Sequence, residues 1–193
     1  MTLFSAVRRP DAGFVPLVEL TTVIVASLLL AVSARIAVPF YPVPMTMQTF
    51  VVIGIGLALG PWRGLAAVTL YLAEGAAGLP VFAGTPEKGI GILYMMGPTG
   101  GYLLGYALAV LLAGWLAVLG FDRKPLPALA AALLAGAVIY VPGVLWLGAV
   151  IGFDRPLLAL GVYPFVAGDI AKAMLAALVF PAAWRWLTRG GTR

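Results

Sequence analysis

Asp169 and Lys172 form the ionisable pair whose spacing points most directly to chemistry. They lie in Gly161-Val-Tyr-Pro-Phe-Val-Ala-Gly-Asp-Ile-Ala-Lys172, an otherwise apolar stretch. Three residues apart, they share one face of a helix. An ionisable side chain in hydrocarbon costs about 2.5–3.5 kcal/mol on insertion scales, so each needs a reason to be there. One reading is a structural ion pair that holds helices together. The other is a pocket, in which Asp169 accepts hydrogen bonds from N–H groups and Lys172 meets an anionic or polar group. Tyr163 and Phe165 would then supply flat apolar walls.

Further polar residues gather at segment ends. Val43-Pro-Met-Thr-Met-Gln-Thr49 places Thr46, Gln48 and Thr49 at the entry to an apolar run. The threonines suit helix capping, but Gln48 exceeds what a cap needs. Arg35 stands near the end of the preceding run, placed to snorkel to headgroups or to cap a site. Glu74 is ionisable near the same boundary, with Lys88 or Arg35 as its expected partner. The stretch from Gly78 to Thr99 is the longest polar-leaning connection and carries Glu87 and Lys88.

What is missing narrows the function. The chain has no cysteine and no histidine. It therefore has no disulfide framework, no thiolate and no imidazole general base. A metalloenzyme, a histidine-dependent hydrolase and an intramembrane enzyme with a nucleophile–base pair all lack their parts, and no cofactor is expected. No Walker-type glycine loop is present, so ATP-driven work needs a partner. The net charge of +5 does not signal nucleic acid, because the basic residues flank apolar segments rather than forming one stripe.

The elements that position these groups are membrane helices. Of 193 residues 63% are hydrophobic and 10% charged, too few charges to cover a water-facing surface. A bilayer core of about 30 Å needs roughly 20 helical residues. Six segments are expected to cross: Leu17–Pro39, Thr46–Leu59, Gly64–Ala77, Tyr102–Leu119, Leu129–Ala149 and Val162–Phe180. The second and third are short for the task. The runs are continuously apolar and do not alternate, which excludes barrel strands. The predicted class is an all-α polytopic membrane protein with six transmembrane helices in one domain.

Orientation follows from the basic residues. Arg8, Arg9, Arg63, Arg123, Lys124, Arg185, Arg189 and Arg193 fall on one side of a six-span topology. Lys88 and Arg155, with Arg35 and Lys172 near the membrane edge, fall on the other. Both termini are expected in the cytoplasm. The run after Arg8 and Arg9 is too long for a signal-peptide core and reads as a retained first helix. Polar groups then converge near the outer face, which favours a solute site. A proton-coupled transporter using Glu74 and Asp169, and a structural or coupling subunit without ligand, are the alternatives. Ser27 and Ala31 give small-xxx-small spacing, for packing within the chain or docking on a second membrane protein.

In order and spacing, these pieces resemble the BioY family, the biotin-binding membrane subunits of energy-coupling-factor transporters. The carrying motifs are Ala34-Arg35, Pro42-Val-Pro-Met-Thr-Met-Gln-Thr49, Tyr71-Leu-Ala-Glu-Gly75, Gly78-Leu-Pro-Val-Phe-Ala-Gly84, Gly97-Pro-Thr-Gly-Gly-Tyr102 and Tyr163 through Lys172. The resemblance implies a six-helix capture subunit of the bacterial cytoplasmic membrane, surrounded by lipid. It would work with a transmembrane coupling protein and two ATPases, and some family members are thought to move biotin without them. By similarity, Asp169 and Lys172 match the ligand-contacting pair of the last helix, with Asp169 on the ureido ring. Thr46 or Gln48 would donate to the ureido carbonyl, and Val81, Phe82 and Tyr163 would wall the apolar parts. The carboxylate would go to Lys88, Arg35, backbone N–H groups or water. Ser27 and Ala31 become the expected docking seam for the coupling protein.

Overall fold

A computed structural model describes residues 2–7 and 15–190. Arg8, Arg9 and Arg193, and the side chain of Arg189, on which part of the expected charge bias rests, lie outside the described residues. A short helix α1 (Leu3–Val7) precedes α2 (Val15–Ser33). The chain then turns through two-residue antiparallel strands, β1 (Ala37–Val38) and β2 (Met45–Thr46), into α3 (Gln48–Leu59). The first helix was expected to reach Pro39 but stops at Ser33, because a residue before proline disfavours helical backbone and this segment is rich in Pro39, Pro42 and Pro44.

Gly60 alone links α3 to α4 (Pro61–Ala76). Its φ of 86° lies in the region that favours glycine, and Pro61 then starts the new helix where a missing N–H costs nothing. The long connection follows, with α5 (Gly91–Met95) inside it. Then come α6 (Gly100–Val118), a single turn at Phe121–Arg123, α7 (Pro125–Ile151), α8 (Leu157–Gly161) and α9 (Tyr163–Gly190). The last helix was expected to end at Phe180, yet it continues through Pro181, as α7 continues through Pro142. A proline removes one helical N–H, a loss that neighbouring helices in a membrane bundle readily absorb.

All six expected segments are helical, but six full-length crossings are not found. Four regions have the length and apolarity to cross: α2, α6, α7 and the stretch Leu157–Thr188, which covers α8 and most of α9. At 12 and 16 residues, α3 and α4 are short. Their lengths of about 18 and 24 Å fall below a bilayer core of about 30 Å. They form a compact hairpin packed inside the bundle. The result is an all-α multi-pass membrane bundle.

Burial ranks the helices. The apolar window of α6 is 56% buried and that of α2 only 22%. Accordingly α6 is the central post, and α2 lies outside with Leu17, Leu20, Leu28 and Val32 exposed to lipid. Glycines bring α6 close to its neighbours. A β-carbon on Gly105 would lie 2.7 Å from the Ile139 carbonyl oxygen of α7, and one on Gly114 would lie 2.3 Å from the Pro61 nitrogen of α4.

One end of the bundle is closed by charge. Glu19 of α2 receives two hydrogen bonds from Arg63 of α4, at 2.5 and 2.9 Å, and the guanidinium lies 4.8 Å from the Phe4 ring. Asp122 accepts from Trp184 Nε1 at 2.5 Å, while Arg123 stacks over the same indole. Burial pushes the Asp122 carboxyl above its ordinary range, against the lowering effect of the Trp184 bond.

The other end is closed by the connection after α4. Phe82 is fully buried, stacked on Tyr94 at 4.9 Å and edge-on to Tyr71 at 5.4 Å. Gly75 makes the floor for its ring, since a β-carbon there would come 2.0 Å from the ring carbon. Tyr94 donates to the Ala83 carbonyl at 2.8 Å, and Arg35 donates to the Thr85 carbonyl at 2.9 Å and to the Pro80 carbonyl. Phe82→Ala should therefore cost about 3–5 kcal/mol of stability, read from unfolding in detergent. An unchanged unfolding midpoint would show that the aromatic stack does not hold this end together.

Candidate functional site

Four elements meet beneath the proline-rich strap of residues 43–46. The strap itself brings Thr46, and the start of α3 brings Thr49. Helix α6 brings Tyr102 and Tyr106, α7 brings Ile139 and Tyr140, and α9 brings Phe165, Asp169 and Lys172. They enclose a cleft with about 420 Å³ of empty space, open mouth included. Small-molecule sites usually combine apolar walls with a few placed polar groups.

The polar centre is Asp169. Its Oδ1 lies 3.2 Å from Lys172 Nζ and accepts from Thr49 Oγ1 at 3.3 Å. Lys172 also donates to Thr49 Oγ1 at 2.8 Å, which closes a three-membered ring of contacts. Oδ2 accepts from the Tyr140 hydroxyl. A carboxylate has about four lone-pair sites, so Asp169 keeps acceptor capacity on Oδ2 after these three donors are counted. Charge-assisted hydrogen bonds of this kind are roughly twice as strong as neutral ones.

A second, narrower cleft adjoins the first and shares Val43, Pro44, Thr46, Tyr102 and Tyr106 with it. Here Gln48 Nε2 donates to Tyr71 Oη at 2.6 Å, and Gln48 Oε1 accepts from Thr46 Oγ1 at 3.3 Å and Tyr106 Oη at 3.5 Å. Tyr94 and Thr99 form the far wall. Tyr102 stands between the clefts, edge-on to Tyr140 at 6.3 Å, and its hydroxyl donates to the Gly161 carbonyl at 2.8 Å.

The residues singled out in the sequence separate into two groups. Asp169, Lys172, Thr46 and Gln48 come together in the clefts. The others have different places. Of the two expected aromatic walls, Tyr163 is 64% exposed and lines neither cleft, whereas Phe165 is buried and lines the first. Phe82 and Val81 anchor the loop, Phe82 through its ring and Val81 through a carbonyl that accepts from Tyr71 at 3.3 Å. Lys88 is exposed and outside both clefts. Arg35 binds the loop carbonyls described above.

Glu74 does not pair with Lys88 or Arg35. Both of its carboxylate oxygens take the Ser27 hydroxyl at 2.8 Å. Ser27 is consequently fully buried, and Ala31 packs half-buried against the core. Ser27 thereby seats α2 on α4, the packing within the chain that the small-xxx-small spacing allows. Sequence reasoning passed over Tyr140, Tyr102 and Tyr106. A signal was present: Tyr140 carries a hydroxyl in the middle of the 27-residue apolar helix α7, and a buried tyrosine hydroxyl needs a partner.

Fold and site together define a polytopic helical membrane protein with a polar cleft near one end and no cluster of metal-ligating side chains among the described residues. The BioY family model matches residues 7–189. The chain is 38% identical to a probable biotin transporter BioY of Pyrococcus horikoshii, over 83% of this chain and 93% of that protein. It is 39% identical to the biotin transporter BioY of Thermotoga maritima, over 78% and 86% respectively. A crystal structure of the S-component for biotin from an ECF-type ABC transporter superposes with a TM-score of 0.76 at 26% identity, covering 90% of this chain and 94% of that one. The chain belongs to the BioY family, whose members are transport proteins rather than enzymes.

Removing one member of a buried ion pair leaves the other uncompensated, at a typical cost of about 3–5 kcal/mol. Lys172→Met should therefore lower stability by about that much, and Asp169→Asn combined with Lys172→Met should recover most of the loss. Unfolding midpoints of the two single variants and the double variant check this. Additive losses would show that the two side chains are not coupled.

Proposed function

We propose that this protein captures biotin and takes it up across the cytoplasmic membrane as the substrate-specific subunit of an energy-coupling-factor transporter. The observation that carries the reading is the Asp169 carboxylate, fixed by Lys172, Thr49 and Tyr140 at the base of an aromatic-walled cleft. Biotin's ureido group offers two N–H donors and one carbonyl. Asp169 Oδ2 accepts from one of the two N–H groups, and Thr46 or Lys172 donates to the carbonyl. Phe165 and Tyr102 flank the thiophane ring.

The valeryl chain then runs toward the second cleft, where Gln48, Tyr94 and Thr99 meet the carboxylate directly or through water. This assignment keeps Phe165 as an apolar wall, adds Tyr102, and gives Tyr163, Val81 and Phe82 no place in it. It leaves Arg35 and Glu74 as supports of the loop and of α2, and it gives exposed Lys88 no part in binding. Several buried directional hydrogen bonds would reject analogues that lack the ureido group by large factors.

In this reading the short α3–α4 hairpin supplies two of six membrane legs, and both termini face the cytoplasm. The end closed by Arg63, Arg123 and Trp184 is the cytoplasmic one, and the cleft opens outward. Energy comes from a coupling protein and two ATPases, because the chain has no nucleotide-binding loop of its own.

Isothermal titration of the purified protein with biotin tests the reading. The wild type should bind with a 1:1 heat signal, and Asp169→Asn should weaken binding by about 10- to 150-fold, the loss of a hydrogen bond to a charged group. The variant should still elute as a single folded species. Absence of heat and of thermal stabilisation at saturating biotin would overturn the proposal.

A further inference from the structure

A third cavity lies on the opposite side of Asp169, between α3, α7 and α9, with about 700 Å³ of empty space, mouth included. Its outer lining is apolar, with Leu133, Val166 and Ile170 exposed at the bundle surface, so it opens sideways. It shares Thr49, Gly136, Tyr140, Asp169 and Lys172 with the polar cleft. Gly136 is the one residue of that shared set without a side chain.

Glycine inside a helix destabilises it relative to alanine, so it normally has a reason to be there. Elsewhere between α6 and α7 the reason is close packing. A β-carbon on Gly101 would lie 2.3 Å from the Pro142 carbonyl oxygen, and one on Gly143 would lie 2.6 Å from the Tyr102 ring. At Gly136 the nearest atom would be Ile53 Cδ1 at 3.8 Å, an ordinary contact. The backbone does not demand glycine either, because Gly136 is not among the positive-φ residues. What Gly136 contributes is empty volume beside Asp169.

We infer that Gly136 is a specificity-determining position of the ligand site. The volume above it receives the apolar edge of a bicyclic ligand whose N–H groups bind Asp169, and the side cavity behind it gives that edge room. The inference rests on the proposed biotin site and adds what sets the width of its ring slot. A methyl group there would crowd the slot, and a valine would block it. A single-ring ureido compound would be less affected than a fused one.

The test compares biotin with dethiobiotin, which lacks the sulfur bridge and so the second ring. Wild type, Gly136→Ala and Gly136→Val are purified, and unfolding midpoints are taken without ligand to show that each folds. Affinities for both compounds follow by titration. The expected result is a ligand-free midpoint at or above wild type, biotin binding at least about tenfold weaker with valine, and a clearly smaller loss for dethiobiotin. Equal losses for the two compounds, or biotin affinity within about twofold of wild type, would overturn the inference while leaving the biotin site standing. If the valine variant does not fold, the alanine variant decides on the same ratio: a shift toward dethiobiotin supports the inference and an unchanged ratio sinks it. Failure of the wild type to bind either compound would instead remove the biotin reading itself, and the ring slot with it.

Discussion

A carboxylate held inside an apolar bundle sets the terms for the rest of this structure. Asp169 and Lys172 sit on one face of α9, each the counter-ion of the other inside an apolar bundle. Their remaining capacity is met by Thr49 of α3 and Tyr140 of α7. Three helices are thereby tied at one polar point. Because the pair as a whole is neutral and hydrogen-bonded, the bundle tolerates it. Because Oδ2 still has room for another donor, the same point is able to recognise a ligand.

The surrounding architecture keeps that point accessible from one end. Short α3 begins near the level of the site, so its first residues, Gln48 and Thr49, face the clefts beside Thr46 of β2. Glycines let α6 approach α7 closely enough for Tyr102 to lie beside Tyr140. The connection after α4 is pinned by the Phe82 stack and by Arg35, so the loop wall is built as firmly as a helix. At the far end, Glu19 with Arg63 and Asp122 with Trp184 tie the helices together.

Much of the fold was legible because apolar runs and their punctuation are local properties. The six helices fall where the runs fall, and the i,i+3 spacing of Asp169 and Lys172 becomes a contact. Less legible was anything decided by a partner distant in sequence. Glu74 looked available for Lys88 or Arg35, yet Ser27, 47 residues away, takes both of its oxygens. The spacing of Ser27 and Ala31 allowed packing within the chain or docking on a partner, and only the bond to Glu74 shows the packing use. Tyr163 and Phe165 are both aromatic near the start of α9, and only the packing of α9 against the strap and α7 decides that Phe165 faces inward. Tyr140 was hidden inside an apolar run whose overall hydrophobicity masked one hydroxyl. Span length was less legible: four regions are long and apolar enough to cross, while α3 and α4, at 12 and 16 residues, are shorter than a bilayer core is thick.

The central claim is that a ligand's N–H groups bind to Asp169 while Lys172 and Thr49 hold it in place. A structure of the biotin-bound protein tests this most directly. The account predicts the ureido ring in the cleft beside Phe165, with a ring nitrogen about 2.8–3.0 Å from Asp169 Oδ2 and the Asp169–Lys172 contact retained. Biotin bound away from this cleft, with the Tyr140–Asp169–Thr49–Lys172 contacts unchanged, would contradict it and leave the ion pair as a purely structural element.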